Sequence, residues 1–157
     1  MGSYQVSCPI CSWSSDNADY LFIAETQYWR ICLAPNQSLL GRCIIPLKRH
    51  VGDLAELTGD ELCDFLSVVK RLEEALRIVF TATMFNWSCY MNHSYLQKPP
   101  NPHVHWWVVP RYEHSVIFGE RIFKDSHFGN PYDHNLWLDL PKNVREEIVG
   151  KIKGTLI

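Results

Sequence analysis

The sequence has no long apolar run and almost no net charge, and both absences exclude classes of function. No stretch approaches the roughly 20 consecutive apolar residues that a membrane-spanning helix needs. The 157 residues include 15 Lys and Arg against 17 Asp and Glu, so the formal net charge is −2. A balance this close to neutral creates no strong field towards nucleic acid or an acidic membrane. We therefore expect neither as a partner, whereas a small phosphorylated ligand held by local donors is compatible with this composition.

Targeting signals, repeats and linkers are absent as well. The N-terminus lacks the basic and apolar regions of a secretory signal, and Val6 stands where a myristoylation signal needs Ser or Thr. These features predict a cytoplasmic, reducing environment. The length suits one compact domain. We expect a single domain over 1–157, with a polar N-terminal segment over 1–19 and a C-terminal tail and helix over 112–157.

Pattern and periodicity predict an α+β fold. A Thr58–Glu61 capping box opens an apolar pattern at three- and four-residue steps, which predicts a long helix over 58–80. A short helix is expected over 141–152, where Pro141 suits the first turn. Runs rich in aromatic and β-branched residues predict strands over 20–25, 29–33, 40–47, 85–91 and 103–109. We expect an antiparallel meander of about five strands with these two helices, and a tail over 112–140 without clear periodicity.

The cysteines fall into two groups. Four of the six stand singly in apolar surroundings and are expected to be small buried hydrophobes: Cys32, Cys43, Cys63 and Cys89. Cys8 and Cys11 instead form a C-x-x-C pair beside Pro9. That spacing suits two thiolates of a tetrahedral zinc, but it is also found in redox motifs and by chance.

The most informative stretch is 103–111, which reads HVHWWVVPR. Alternate side chains share a face of a strand, so His103, His105 and Trp107 should point the same way. Two imidazoles about 7 Å apart on one face can line a single site. Their ordinary pKa of about 6.5 suits nucleophilic and acid–base work. The H-x-H pattern alone is equally typical of metal ligands or of histidines with ordinary hydrogen bonds.

In its context this stretch closely resembles the signature of the histidine triad family, H-φ-H-φ-H-φ-φ, often followed by Pro-Arg. The likeness extends over most of the chain. Leu40-Gly41-Arg42 and the later Pro46-Leu47-Lys48-Arg49-His50 resemble the family's glycine-containing strand and its ending. The acidic, leucine-rich run 53–58 leads into the helix as it does in the family. Phe123, Asp125, Phe128-Gly129 and Tyr132 resemble a tail found in some bacterial members.

The resemblance implies a HIT-like fold and a nucleotide hydrolase or nucleotidyltransferase. It implies that His105 attacks the α-phosphorus of a nucleotide and that water or another acceptor releases the nucleotidyl-histidine. Substrates of this class are dinucleoside polyphosphates, nucleotide sugars and phosphoramidates. One departure is serious, because the family's third histidine falls on Trp107. The related uridylyltransferases carry glutamine there, so a third histidine is not essential, but tryptophan donates only and cannot shuttle a proton.

Two further functions therefore stay open. A HIT-fold module could hold nucleotides without turnover, because Trp107 blocks proton delivery or fills the pocket. A zinc-bearing interaction protein without a nucleotide site is a more remote alternative.

The resemblance also implies a ligand set for zinc. Some members complete such a cysteine pair with the histidine after the glycine strand and with the first histidine of the triad. Here those residues are His50 and His103, beside Cys8 and Cys11. Four protein ligands leave no open position, so this zinc would be structural.

Contacts to the substrate are expected from five other residues. By resemblance, Asn36 or Gln37 would reach a ribose hydroxyl, and Asn92 would touch phosphate. Arg42 would bind phosphate or form a surface ion pair, and Trp107 would line the pocket. We expect the remaining histidines to be solvated: His93, His114, His127 and His134. The family commonly pairs through the helix and the strand that follows it, which implies a homodimer.

Overall fold

A five-stranded antiparallel sheet and two helices make up most of the fold. The computed structural model describes residues 8–13 and 19–156. The sheet strands are β1 (Leu21–Glu25), β2 (Arg30–Leu33), β3 (Cys43–Pro46), β4 (Met84–Ser88) and β5 (His105–Arg111). The helices are α1 (Gly59–Phe80) and α2 (Lys142–Thr155), and β6 (Val116–Phe118) and β7 (Arg121–Phe123) form a separate hairpin. The α+β class, the five antiparallel strands and the two helices are confirmed.

The order of the strands departs from a simple meander. The sheet runs β1-β2-β3-β5-β4, so β5 lies between β3 and β4. The chain leaves β3, crosses through α1, forms the edge strand β4 and only then inserts β5. In this register Ile44 pairs with Trp107 and Trp87 pairs with Val108. The strand that carries the histidine motif is therefore fixed on both sides.

Helix α1 begins as the sequence predicts. The side chain of Thr58 accepts from the Glu61 N–H, and the Glu61 carboxylate accepts from the Thr58 N–H. The helix buries Val68, Leu72, Ala75, Leu76 and Phe80 against the sheet. On the opposite face of β5 from the histidines, Trp106 stacks on Phe65 of α1 at a ring-centroid distance of 4.8 Å. Alternation along β5 thus sends Trp106 into the core and leaves His105 and Trp107 on the other face.

The apolar stripe of α1 is wider than the surface that the sheet covers. Leu62 and Leu66, which fit the predicted apolar face, are 49% and 53% exposed. They lie towards the side of the helix where Glu73 accepts a hydrogen bond from Trp87 of β4. The sheet therefore leaves this half of the stripe uncovered. In the described part of the chain, no helix is long and apolar enough to cross a membrane.

The C-terminal tail is more ordered than its sequence indicates. The hairpin β6–β7 was not predicted, because its strands have only three residues each and show no periodicity. Beyond it, the tail is tied to the end of β5 by Arg111. Arg111 Nε lies 2.6 Å from Asp125 Oδ2, and both side chains are 2% exposed. Arg111 also donates to the carbonyls of His127 and Asn130.

Candidate metal centre and catalytic cavity

Four side chains with metal-ligand chemistry meet just before β5. The ligand atoms of Cys8, Cys11, His50 and His103 all lie within 4.8 Å of one another. The Cys11 sulfur is 3.3 Å from His50 Nδ1 and 3.4 Å from His103 Nδ1. The Cys8 sulfur is 3.4 Å from the same His103 nitrogen. The structure therefore brings together the residues that the sequence selects as a ligand set.

The spacing and protonation of this cluster fit zinc. Zn–S bonds of about 2.3 Å and Zn–N bonds of about 2.0–2.1 Å in a tetrahedron separate S from N by roughly 3.5 Å. His103 Nε2 lies 2.8 Å from the Leu47 carbonyl oxygen. If Nε2–H donates to this carbonyl, Nδ1 presents its lone pair to the cluster, as metal-binding histidines commonly do. Burial lowers the pKa of His103 to about 4, which favours the neutral, metal-binding form.

His105 opens β5 and is half-buried beside the cluster. Its Nδ1 lies 2.7 Å from the main-chain carbonyl oxygen of His103. A carbonyl only accepts, so Nδ1 carries the proton and Nε2 carries the lone pair. Burial lowers the pKa of His105, against the opposing effect of this hydrogen bond. A neutral ring oriented in this way can act as a nucleophile through Nε2.

The cavity beside His105 has a volume of about 530 Å³, a size typical of small-molecule sites. Cys8 and His103 of the metal cluster form part of its wall, so the two features adjoin. Other lining residues come from the turn before β3, from a short 3-10 helix after β4, from β5 itself and from the tail: Arg42, Asn92, His93, Trp107, Tyr132 and His134.

Trp107 does not stand alone in this cavity, because Arg42 covers it. The guanidinium carbon of Arg42 is 4.8 Å from the centroid of the Trp107 ring and 5.9 Å from that of Tyr132. The Trp107 ring also lies 6.1 Å from the His105 ring, edge to face. Burial lowers the pKa of Arg42, and the nearby phenol groups of Tyr132 and Tyr20 oppose this effect.

Gly41 places Arg42 at this position. Its φ of +83° is a left-handed conformation that side chains other than glycine rarely adopt. A Cβ there would also meet Leu76 Cδ2 of α1 at 2.9 Å. The turn into β3 therefore requires glycine, and it delivers the next residue to the cavity.

Asn36 and Gln37 lie elsewhere. They are not among the described residues that line the cavity, and both are buried, with their amides bonded to the main chain. Asn36 donates to the Leu136 carbonyl and accepts from the N–H groups of Ser38 and Leu138. Gln37 donates to the carbonyls of Ala34 and Arg42 and accepts from the Gly41 N–H. These contacts brace the loop before β3 and give the ribose prediction no support.

Sequence reasoning missed Tyr132, His93 and His134 as residues of this cavity. The two histidines were expected to be solvated; both are exposed, yet they also line the cavity. The rings of Tyr132 and His134 lie 4.4 Å apart between centroids, at a tilt of 47°. The similarity of the tail around Asp125 and Gly129 to bacterial members was the one signal that could have pointed to Tyr132. Among the predicted substrate contacts, Arg42, Asn92 and Trp107 do share the cavity with His105.

Comparisons with known proteins agree with the fold. The model of the HIT domain family matches residues 17–114. An uncharacterised HIT-like protein of Methanocaldococcus jannaschii is 26% identical over 116 residues, which are 72% of this chain and 88% of that one. A zinc-bound histidine triad family protein from Mycobacterium smegmatis has a similar fold, with a TM-score of 0.61 and 22% identity; the alignment covers 96% of this chain and 93% of that one. A hypothetical histidine triad nucleotide-binding protein from Sulfolobus tokodaii aligns over 87% of this chain and 83% of its own, with a TM-score of 0.62 and 18% identity.

Proposed function

The chain belongs to the HIT domain family, and from this premise we propose that it is a nucleotide hydrolase or nucleotidyltransferase that acts through His105. The reaction takes place at the α-phosphate of a nucleoside phosphate compound and passes through a nucleotidyl-histidine. The observation that carries the proposal is the hydrogen bond from His105 Nδ1 to the His103 carbonyl. It fixes the ring so that Nε2 holds its lone pair on the cavity side of β5.

The first step forms a bond between His105 Nε2 and the α-phosphorus, and the bond to the leaving group breaks with its electron pair. The ring keeps its Nδ1–H on the His103 carbonyl, which stabilises the positive charge that develops on the imidazole. In the second step, water or another acceptor oxygen attacks phosphorus and the P–N bond breaks. His105 recovers its lone pair, and the acceptor's proton passes to solvent or to product.

Zinc belongs to the proposal as a structural ion held by Cys8, Cys11, His50 and His103. Four protein ligands leave no open position, so the ion would contribute folding energy rather than chemistry at the substrate. In this chain the proposed zinc site and the proposed catalytic site share one residue, His103. His103 would bind the metal through Nδ1 while its main chain orients His105.

We further propose that residues 1–157 form a single domain that works in the reducing cytoplasm, where zinc thiolates persist.

We also propose a homodimer. Leu62 and Leu66 of α1 and Met84 of the edge strand β4 are exposed apolar side chains on adjoining elements. A second copy would cover them and protect an unpaired strand edge.

A nucleotide-binding module without turnover is the second candidate, and Trp107 is the observation that favours it. By resemblance, Trp107 falls on the family's third histidine position, and with Arg42 it lines the cavity beside His105. It offers no group that can take up and release a proton near neutral pH.

The test compares wild type with His105→Asn on a panel of adenosine and guanosine dinucleoside polyphosphates, nucleotide sugars and phosphoramidates. Asparagine keeps a similar polar shape but has no nucleophilic ring nitrogen, so turnover should fall by several orders of magnitude while nucleotide binding persists. His114→Asn, a histidine bonded to Thr81 outside the lining of this cavity, is the matched control and should stay active. Unchanged turnover in His105→Asn would refute the covalent mechanism, and tight binding with no turnover in wild type would favour the binding module.

A further inference from the structure

We propose that Arg42, held against Trp107, takes the place of a proton donor and restricts the reaction to leaving groups that depart as anions. This inference rests on the proposed function. It narrows the substrate class to phosphoanhydrides, such as dinucleoside polyphosphates and nucleotide diphosphate sugars, and excludes phosphoramidates that release an amine.

Among the described residues, Arg42 is a cation without a counter-ion. In the part of the chain that the structure describes, no carboxylate lies within 4.0 Å of its guanidinium nitrogens, although six other cations have such partners. Its Nε atom is buried and has no hydrogen-bond partner among the described residues. A partly desolvated charge with an unpaired donor is costly unless a ligand completes it. The guanidinium N–H groups of Arg42 are therefore suited to bind an anion, and a phosphate group can accept two of these hydrogen bonds at once.

The sheet register keeps this cation next to the reacting histidine. Arg42 immediately precedes Cys43, which pairs with Val108 of β5, and Ile44 pairs with Trp107. The guanidinium lies over the Trp107 ring, and that ring meets His105 edge to face. Arg42, Trp107 and His105 line one cavity. An anion bound by Arg42 would therefore be a part of the same substrate whose α-phosphorus faces His105.

Phosphoanhydrides and phosphoramidates differ in whether the leaving group needs a proton. When a phosphoanhydride is cleaved, the P–O bond breaks and the phosphate leaves with the electron pair as a stable anion, which needs no proton. Arg42 would neutralise that charge as it develops. When a phosphoramidate is cleaved, the P–N bond breaks and the amine nitrogen must gain a proton as it leaves. Neither an arginine nor an indole N–H gives up a proton near neutral pH, so this pair cannot supply one. The other two histidines of the cavity, His93 and His134, lie outside β5, on the short helical turn after β4 and on the tail.

The experiment measures kcat/KM for wild type on a diadenosine polyphosphate and on an adenosine 5′-phosphoramidate. We expect the anhydride to be preferred at least about a hundredfold, the usual effect of one well-placed group on a transition state. Arg42→Gln should lose about 10²-fold on the anhydride, mainly in kcat, and should leave the slow phosphoramidate reaction almost unchanged. Arg42→Lys should recover part of the loss, because it restores the charge without the fork.

A control variant, a variant expected to gain activity and a measurement of folding keep a structural effect apart from a chemical one. Arg121→Gln removes an exposed arginine from β7 and should behave as wild type. Trp107→His should raise phosphoramidate cleavage relative to anhydride cleavage, since it returns a group that can donate a proton. A variant that merely unfolds would lower both reactions together, and thermal unfolding of each variant would reveal it.

The outcomes that overturn the inference differ from those that overturn the proposed function. Phosphoramidate cleavage as fast as anhydride cleavage, lost in His105→Asn, would refute the role of Arg42 and leave the mechanism at His105 intact. An equal loss on both substrates in a folded Arg42→Gln would also refute it. Turnover of neither substrate by wild type would overturn both proposals together.

Discussion

His105 Nδ1 and the carbonyl oxygen of His103 lie 2.7 Å apart, so a candidate metal ligand holds the candidate nucleophile in its orientation. The side chain of His103 joins the cluster with Cys8 and Cys11, while its main chain faces the neighbouring ring. Loosening the cluster should therefore disturb both the fold and the direction in which His105 Nε2 points. This coupling makes the metal relevant to activity without giving it a chemical step.

The first prediction concerns that coupling. Purified protein should contain one zinc per chain by elemental analysis. Cys8→Ser should lower zinc content, lower the unfolding temperature and reduce turnover, because a structural metal contributes folding energy and positions His103. Cys63→Ser is the matched control. Cys63 is not buried as the sequence predicted but is an exposed thiol on α1, outside the cluster. A folded, metal-free wild type that fails to take up added zinc would contradict the prediction.

Local sequence patterns predicted the parts of this molecule that local physics determines. The Thr58–Glu61 capping box and the apolar spacing of α1 depend on neighbouring residues, and both are present. Alternation along β5 likewise predicted that Trp106 would face away from His105. The Cys8 and Cys11 pair gave half of the candidate metal cluster by spacing alone, and resemblance supplied its histidines.

Other parts depend on contacts between residues far apart in the chain, and the sequence did not reveal them. The stacking of Arg42 on Trp107 follows from the pairing of β3 with β5, which no local pattern specifies. Asn36 and Gln37 were plausible ligands for a ribose, yet nearby main-chain groups occupy their amides. A polar side chain in a loop does not show in its sequence whether a ligand or the backbone will be its partner.

The second prediction concerns the dimer. Leu66→Glu should convert a dimer into a monomer in light scattering at micromolar concentration, because it places a charge on the exposed half of the α1 stripe. Ile122→Glu, at a residue 72% exposed on the hairpin, introduces the same charge on a different apolar surface and should leave the dimer intact. If Ile122→Glu alone dissociates the dimer, the interface lies at the hairpin and not at α1. A monomeric wild type would contradict the homodimer itself.

The third prediction is a dependence of stability on pH. Arg49 donates to Glu61, and this hydrogen bond is the main cause that lowers the pKa of Glu61 from 4.5 to about 2. A carboxyl whose pKa is depressed by folding stabilises the folded state above its unfolded pKa, and this contribution is lost as the pH falls towards the folded pKa. The destabilisation by Glu61→Gln should therefore be full above about pH 5 and shrink between pH 4.5 and 2. Urea titrations at each pH would measure it, with the exposed Glu147→Gln as a control; a difference that does not vary with pH would contradict it.

The last prediction concerns how the tail reaches the cavity. Asp125 pairs with Arg111 at the end of β5, and the same guanidinium bonds the carbonyls of His127 and Asn130, two residues before Tyr132. Asp125→Asn leaves a buried cation without its charge partner, which should cost about 3–5 kcal/mol of unfolding free energy. Glu146→Gln breaks the exposed pair with Lys142 and should change stability by less than about 0.5 kcal/mol.

Because Tyr132 helps to hold Arg42 at the cavity, Asp125→Asn should also weaken nucleotide binding under conditions where the protein remains folded. Normal affinity in a destabilised but folded Asp125→Asn would show that the ion pair supports the fold without positioning the site.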